Sequence, residues 1–498
     1  MSEDLLVRQR EVLFGGRVFR FIFDGYRVVH DVVSGATHVF DAAAWELLPA
    51  LDPGQPPGRQ TLREALQRLN LAPAPELHEA WEELQSLRRQ GLLLPRADEE
   101  AVASRHQQER VPIIKSLCLH VAHACDLRCR YCFAGQGTYG GPHQLMSAAT
   151  ARKALDFLFR SSGPRRHLEV DFFGGEPLLN FGVVQDTVRY GREEGRRLGK
   201  IVKFTLTTNG THLTPDVVAF LNKYDVAVVL SLDGRQEVHD RHRPGPLAGD
   251  GTYERVVPAM RALVLQRQGR WYYVRGTYCH DNLDFAADVA HYLELGFDQI
   301  SMEPVVLAAG DPGYEELALR PEDFPAIERE YDRLAELYLQ RARAGKPFRF
   351  FHFEMDMDNG LCLSKRLSGC GAGYEYLAVA PDGTFYPCHQ FVGRPGFALG
   401  HVETGLERLD LSAQFRHNHV LAKPECRTCW ARYLCSGGCH ANNHAVNGDI
   451  HIPYELGCRI QRKRLECALG VQAVLAAEGA WQQHGKRPQE ASGARDSA

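Results

Sequence analysis

Three cysteines, Cys125, Cys129 and Cys132, stand within the short stretch His123-Ala-Cys-Asp-Leu-Arg-Cys-Arg-Tyr-Cys-Phe133. Three thiolates that close together can hold three irons of a [4Fe–4S] cube, and with no fourth cysteine nearby one iron stays open to another ligand. A zinc knuckle is the rival, but zinc asks for a fourth Cys or His, and His123 is the sole local candidate. Downstream, Gly174-Gly-Glu-Pro-Leu178 follows the strand-like Glu169-Val-Asp-Phe-Phe173. Its glycines let backbone come close to a ligand, and Glu176 offers a carboxylate to an ammonium. A second cysteine set begins with Cys370, Gly383 and Cys388, continues through Cys426, Cys429, Cys435 and Cys439, and ends at Cys458. Zinc ribbons are the rival reading of its central four cysteines, weakened by the full ordered set of seven.

Fourteen cysteines need an explanation other than disulfides in a chain expected to be cytoplasmic. None lies in the first 117 residues, four fall between 118 and 132, and nine of the remaining ten lie between 362 and 467. Such clustering points to metal or clusters. Cys118, Cys279 and Cys467 read as buried thiols, and Cys362 stays open as a ligand. With 44% hydrophobic and 24% charged residues the composition is that of a soluble globular protein. A formal net charge of −4 argues against nucleic acid as the main partner. No apolar run reaches the roughly 20 residues of a membrane span, and Met-Ser-Glu-Asp-Leu-Leu-Val is no signal peptide.

The elements that must position these residues fall into blocks. In residues 1–97, three short strands (17–23, 26–30 and 37–40) precede helical periodicity at 42–51, 62–69 and 77–91. Residues 98–111 are polar and read as a linker or exposed helix. Across 112–345 strands and helices alternate, with strands expected at 116–121, 168–173, 203–207, 226–232, 272–278 and 299–304. That order argues for βα units on a parallel sheet, whose chemistry gathers at the carboxyl ends of the strands. The amphipathic stretch 323–344 is ordinary packing. Residues 346–470 hold the second cysteine set, and 471–498 are expected to form a disordered tail.

The C-x3-C-x2-C spacing with Tyr131 before the last cysteine, together with Gly174-Gly-Glu176, resembles the signature of radical S-adenosylmethionine (SAM) enzymes. That resemblance implies an α/β fold, a partial (β/α)6 TIM-like barrel. Its open iron would bind SAM and pass one electron to the sulfonium, giving a 5′-deoxyadenosyl radical. It also implies that Tyr131, Gly174, Gly175 and Glu176 contact the cofactor, that Ser231 and Asp233 lie near its ribose or the substrate and that Arg275 is a candidate for its carboxylate, with Glu303-Pro-Val-Val306 on the adenine side; strand-end turn residues are the alternative for Ser231, Asp233 and Arg275. The seven later cysteines resemble the SPASM extension with two auxiliary [4Fe–4S] clusters, three clusters in all. Cys370, Cys388 and Cys439, with Cys362 as possible fourth ligand, would hold the first; Cys426, Cys429, Cys435 and Cys458 the second. The leading block resembles the winged-helix-like recognition element to which a leader peptide adds a strand; a packing or dimer role is its alternative.

Ser116-Leu-Cys-Leu-His120, Tyr273-Val-Arg-Gly-Thr277, Tyr386-Pro-Cys-His-Gln-Phe391, Cys439-His-Ala-Asn-Asn443 and Gly457-Cys-Arg-Ile-Gln-Arg-Lys-Arg-Leu-Glu-Cys467 together resemble the SCIFF maturases. Those enzymes forge thioether links in a ribosomally made cysteine-rich precursor peptide, with a low-potential carrier such as ferredoxin or flavodoxin as electron donor. The alternatives are a maturase linking Cys to Asp or Glu in another protein, as quinohemoprotein amine dehydrogenase maturases do, and a non-enzymatic electron-transfer or zinc-scaffold protein. Anaerobic sulfatase maturases place an aspartate after the second SPASM cysteine; His389 stands there here, which puts a sulfatase-type oxidation in doubt.

Overall fold

A computed structural model describes residues 6–108, 112–247, 249–355 and 362–479. The chain opens with an antiparallel meander of four strands, β1 (Val7–Leu13), β2 (Val18–Phe23), β3 (Tyr26–Asp31) and β4 (Thr37–Phe40). β2 to β4 lie where expected. β1 escaped sequence reasoning because Val7-Arg-Gln-Arg-Glu-Val-Leu13 is polar at its centre, is mostly exposed as an edge strand, and is broken by a bulge between Arg8 and Glu11. Three helices follow, Ala42–Leu47, Leu62–Leu69 and Pro75–Arg89. Asp41 caps the first, and a Thr61/Glu64 capping box starts the second. Trp45, Leu48, Trp81 and Leu84 bury their shared core. The polar stretch after them contains a helix, Glu99–Gln108, held to the cysteine-rich part of the chain by the Tyr433 hydroxyl on Glu99 and by an Arg427–Glu100 ion pair at 3.0 Å.

All six expected barrel strands form. They are β5 (Ser116–His123), β7 (His167–Gly174), β8 (Ile201–Thr208), β9 (Ala227–Ser231), β10 (Tyr272–Tyr278) and β11 (Gln299–Pro304), with the short β6 (Gln144–Leu145) pairing antiparallel to β5. The parallel order runs β11-β10-β9-β8-β7-β5, and β12 (Arg349–Phe350) extends its far edge. β5 is buried along its whole length, as a strand covered on both faces must be. Its other edge pairs in parallel with β13 (Tyr376–Val379) of the cysteine-rich region, Tyr376 opposite Ser116 and Val379 opposite Leu119. β14 (Thr384–Tyr386), β15 (Gly400–His401) and β16 (Gly405–Leu406) then continue the same sheet antiparallel. No helix among the described residues is long and apolar enough to cross a membrane.

The final helix, Glu455–Ala477, corrects one expectation. Residues 471–477 are not tail, because Val471, Val474 and Leu475 are fully buried against the rest of the protein. The helix passes so close to the N-terminal sheet that a Cβ on Gly470 would lie 2.3 Å from the Phe23 ring. Residues 480–498 lie outside the described residues. Leu475→Ala is accordingly expected to cost about 2–5 kcal/mol, read as a lower denaturation midpoint of the cluster-free protein, whereas a residue on a frayed tail would cost nothing.

Candidate active site

β5 ends at His123 and releases the chain into the loop that carries Cys125, Cys129 and Cys132. Backbone bonds from two neighbouring segments hold this loop. Gly175 N donates to Ala122 O and Glu176 N to Ala124 O, both at 2.8 Å, while Arg128 N and Arg130 N donate to Pro244 O and His242 O, both at 2.9 Å. The glycines are required: a Cβ on Gly174, whose φ is +125°, would sit 2.3 Å from Ala122 O, and one on Gly175 would sit 2.1 Å from Ala124 O. The pair therefore brings the end of β7 onto the cysteine loop. Burial disfavours the Cys125 and Cys129 thiolates, pushing the thiols up to about 12 and about 11. Arg243 pulls Cys129 back in part, while Cys129 opposes ionisation of Cys125 and Cys132 opposes that of Cys129. Such thiols become good ligands when a cationic iron centre supplies the missing positive charge, so the three residues fit a cluster.

Glu176 is fully buried and accepts hydrogen bonds from Leu178 N at 3.0 Å, Thr208 Oγ1 at 2.9 Å and Asn209 N at 2.8 Å. Burial still outweighs these donors and raises its carboxyl to about 7. A carboxyl raised in the folded state stabilises the fold fully below its unfolded value, near 4.5, and loses that contribution as pH rises through about 7. We expect the cluster-free protein to lose stability across this window, and Glu176→Gln to remove that share of the slope in urea titrations at stepped pH.

Tyr131 lies over the loop, its hydroxyl donating to Asp233 and accepting from Arg243 Nη1 at 3.1 Å. The expected cofactor residues do not all meet. Tyr131, Gly174, Gly175, Glu176, Ser231 and Arg275 line one cavity of about 290 Å³ with the three cysteines. Asp233 does not reach it: fully buried behind Tyr131, it accepts from Tyr131 and from Thr277 N at 3.2 Å, so it braces the wall instead of touching a ligand. Arg243 and Asn209 also line the cavity and were missed by sequence reasoning. Arg243 is buried with no partner for its Nε among the described residues. Asn209 ties the loop down through Asp126 Oδ1 at 2.9 Å. Asn209 stands in Thr207-Thr-Asn-Gly210, a weak signal, and Arg243 in the run His239-Asp-Arg-His-Arg243, which carries none.

The cysteine-rich region closes the cavity with His389, Gln390 and Asn442. The His389 ring rests 5.0 Å from Phe173 and 5.8 Å from Phe133, and its Nδ1 lies 3.2 Å from the Tyr376 hydroxyl. Burial, then Arg275, lowers it to about 4. The later thiols sort into two groups by the charges each feels. Cys388 feels Cys439 and Cys370. Cys426 feels Cys435 and Cys429, and Cys458 feels Cys435 and Cys426. Buried Lys423, donating to Gly437 O at 2.8 Å, sits among the second group and favours its thiolates. Cys362 is exposed at the start of the short helix Leu363–Arg366, whose neighbours are the helices Glu99–Gln108 and Arg432–Cys435. Cys118, Cys279 and Cys467 are buried thiols as expected, Cys279 donating to Asp281 at 3.1 Å.

Comparison with known proteins fits this geometry. Residues 119–269 match the model of the radical SAM superfamily, and residues 370–430 match the SPASM iron–sulfur cluster-binding domain. The radical SAM cyclopropyl synthase TigE of Paramaledivibacter caminithermalis is 27% identical over 140 residues, 25% of this chain and 28% of that protein. A cysteine-type anaerobic sulfatase-maturating enzyme of Clostridium perfringens is 23% identical over 368 residues, 69% of this chain and 94% of the enzyme. The chain spans less than half the length of two of the curated relatives it matches, 42% of one and 28% of the other. Among solved structures, Streptococcus suis SuiB bound to S-adenosylmethionine shares the fold at a TM-score of 0.50 and 16% identity, over 92% of this chain and 99% of that one. The chain thus carries a radical SAM domain followed by a SPASM domain, built on one continuous sheet.

Proposed function

We propose that this protein is a radical SAM maturase that forms intramolecular thioether cross-links in a ribosomally made cysteine-rich precursor peptide. One observation carries the reading: a single cavity joins the Cys125/Cys129/Cys132 loop to the SPASM face bearing His389, one residue from Cys388. Cys125, Cys129 and Cys132 would hold the first cluster; Cys370, Cys388 and Cys439 the second; Cys426, Cys429, Cys435 and Cys458 the third. With SAM bound, that site supplies a hydrogen-abstracting 5′-deoxyadenosyl radical. Per link, the peptide would give up one hydrogen atom from carbon and one proton and one electron from its thiol, the bound cofactors supplying the acceptors for the hydrogen atom and the electron. A carrier such as ferredoxin or flavodoxin provides the starting electron, and the precursor's leader pairs with the N-terminal sheet.

The chain's own residues bind, orient and shield. Gly174 and Gly175 let backbone approach the cofactor, Glu176 fixes the Thr208-Asn209 turn, and Phe173 with Phe133 keeps water from the radical. Arg243, buried beside Cys129 with a free Nε, suits the cofactor carboxylate better than any other group on that wall. Arg243→Gln should weaken SAM binding about 10- to 100-fold, the worth of a charge-assisted hydrogen bond of about 1.5–3 kcal/mol, as measured by equilibrium dialysis.

The deciding experiment reconstitutes the enzyme anaerobically and adds dithionite, SAM and a cysteine-rich peptide encoded beside the gene. Mass spectrometry after thiol alkylation should show two hydrogens lost per link and one fewer alkylatable thiol that reduction does not restore. An unmodified peptide beside abundant 5′-deoxyadenosine would keep the radical chemistry and discard this substrate. Zinc in place of iron would discard both.

A further inference from the structure

We propose that Arg275 is the contact for a carboxylate on the peptide substrate, not for the cofactor. The inference rests on the reading above, that cofactor and peptide meet in this cavity. Arg275 lies on β10, in register with Ser231 of β9 and Ser301 of β11, and its side chain lines the cavity while remaining 48% exposed. Its nearest carboxylate is Glu303 at 3.9 Å, too far for a hydrogen bond. Glu303 is already engaged, by His352 Nε2 at 3.2 Å and Arg464 Nη1 at 3.4 Å.

The local charge does not balance. Two guanidiniums, Arg275 and Arg464, share one carboxylate, and burial keeps the third member, His352, toward its neutral form. Arg464 also acts on the Cys435 thiol, whereas Arg275 makes no hydrogen bond to Glu303 and turns a half-exposed guanidinium to the cavity. The cofactor brings a single carboxylate, and Arg243, beside Cys129 and Tyr131, stands to receive it. A second anion is therefore needed to satisfy Arg275, and the peptide is the remaining occupant. An Asp or Glu side chain and a free C-terminus share the required chemistry; bidentate pairing with either suits a guanidinium.

Protection from phenylglyoxal, read by peptide mapping of the anaerobically reconstituted enzyme, tests this without relying on turnover. The probes are acetylated, amidated Gly-Cys-Gly-Glu-Gly-Gly, its Glu→Gln counterpart, and the Gln peptide with a free C-terminus, each at millimolar concentration with SAM present. The Glu peptide should slow labelling of Arg275 at least fivefold over the amidated Gln peptide, and in Arg275→Gln the two peptides should become indistinguishable in binding. Protection by the free-C-terminus peptide alone would assign the site to a chain end. SAM alone should leave Arg275 reactive. Protection of Arg275 by SAM alone, equal protection by all three peptides, or no protection by any peptide would overturn the proposal. The broader reading fails separately, through absence of 5′-deoxyadenosine with dithionite.

Discussion

Alanine at Cys125, Cys129 or Cys132 is expected to remove about four of about twelve irons per reconstituted chain, on the basis of three four-iron clusters. 5′-Deoxyadenosine formation should fall by at least about a thousandfold, since the interaction lost is one the reaction cannot proceed without. Cys388→Ala provides the contrast: the same loss of iron with 5′-deoxyadenosine retained and cross-linked peptide absent. Cys467→Ser provides the second, since that buried thiol stands apart from both later groups, near Asp332 and Lys463, and its iron content should be unchanged. Iron assay and Mössbauer or EPR spectra read all three. Full iron in the Cys125 variant would remove the loop from the chemistry altogether.

The second large effect comes from a residue with no side chain. Gly175→Ala places a methyl 2.1 Å from Ala124 O and 3.1 Å from the Cys125 Cβ, against backbone that cannot rotate away. The loop must move or the end of β7 must, at a cost of the order of 3 kcal/mol. Either movement breaks the 2.8 Å bonds from Gly175 N and Glu176 N that register loop against strand. The expected result is a lowered melting temperature with the first cluster's iron selectively lost. A variant that melts like the wild type and holds full iron would show that the loop tolerates displacement. Gly140→Ala, where a Cβ meets nothing within 4 Å but φ is +76°, separates backbone strain from collision.

What the sequence made legible follows from how local each signal is. The cysteine loop and the six barrel strands are written in short continuous runs, apolar and flanked by turns, and all formed where expected. The partition of the later cysteines into two interleaved groups came from resemblance, and the charges acting on Cys388, Cys426 and Cys458 run along the same division. Arg243 was illegible because its role depends on a helix end, residues 242–244, folding back over the cysteine loop, a contact between segments more than 100 residues apart. Asp233 misled for the opposite reason: its motif sits at a strand end as the cavity residues do, but Tyr131 covers it. The end of the last helix was lost in a boundary drawn after Cys467, although Val471-Gln-Ala-Val-Leu475 is apolar enough to continue a buried helix.

The pairing of β5 with β13 bears on how the chain can be made and divided. Along Ser116–Leu119 the first strand of the barrel acquires its second neighbour only when residues some 260 positions later have been synthesised, since β6 reaches only Ala122 and His123. Until then a strand buried along its whole length in the finished protein keeps one row of amides and carbonyls open. A nascent chain in that state offers other copies a ready edge. A fragment cut after residue 345 would keep that edge permanently, so such fragments should collect as aggregates while the chain carried through β13 stays dispersed, as light scattering during refolding would record.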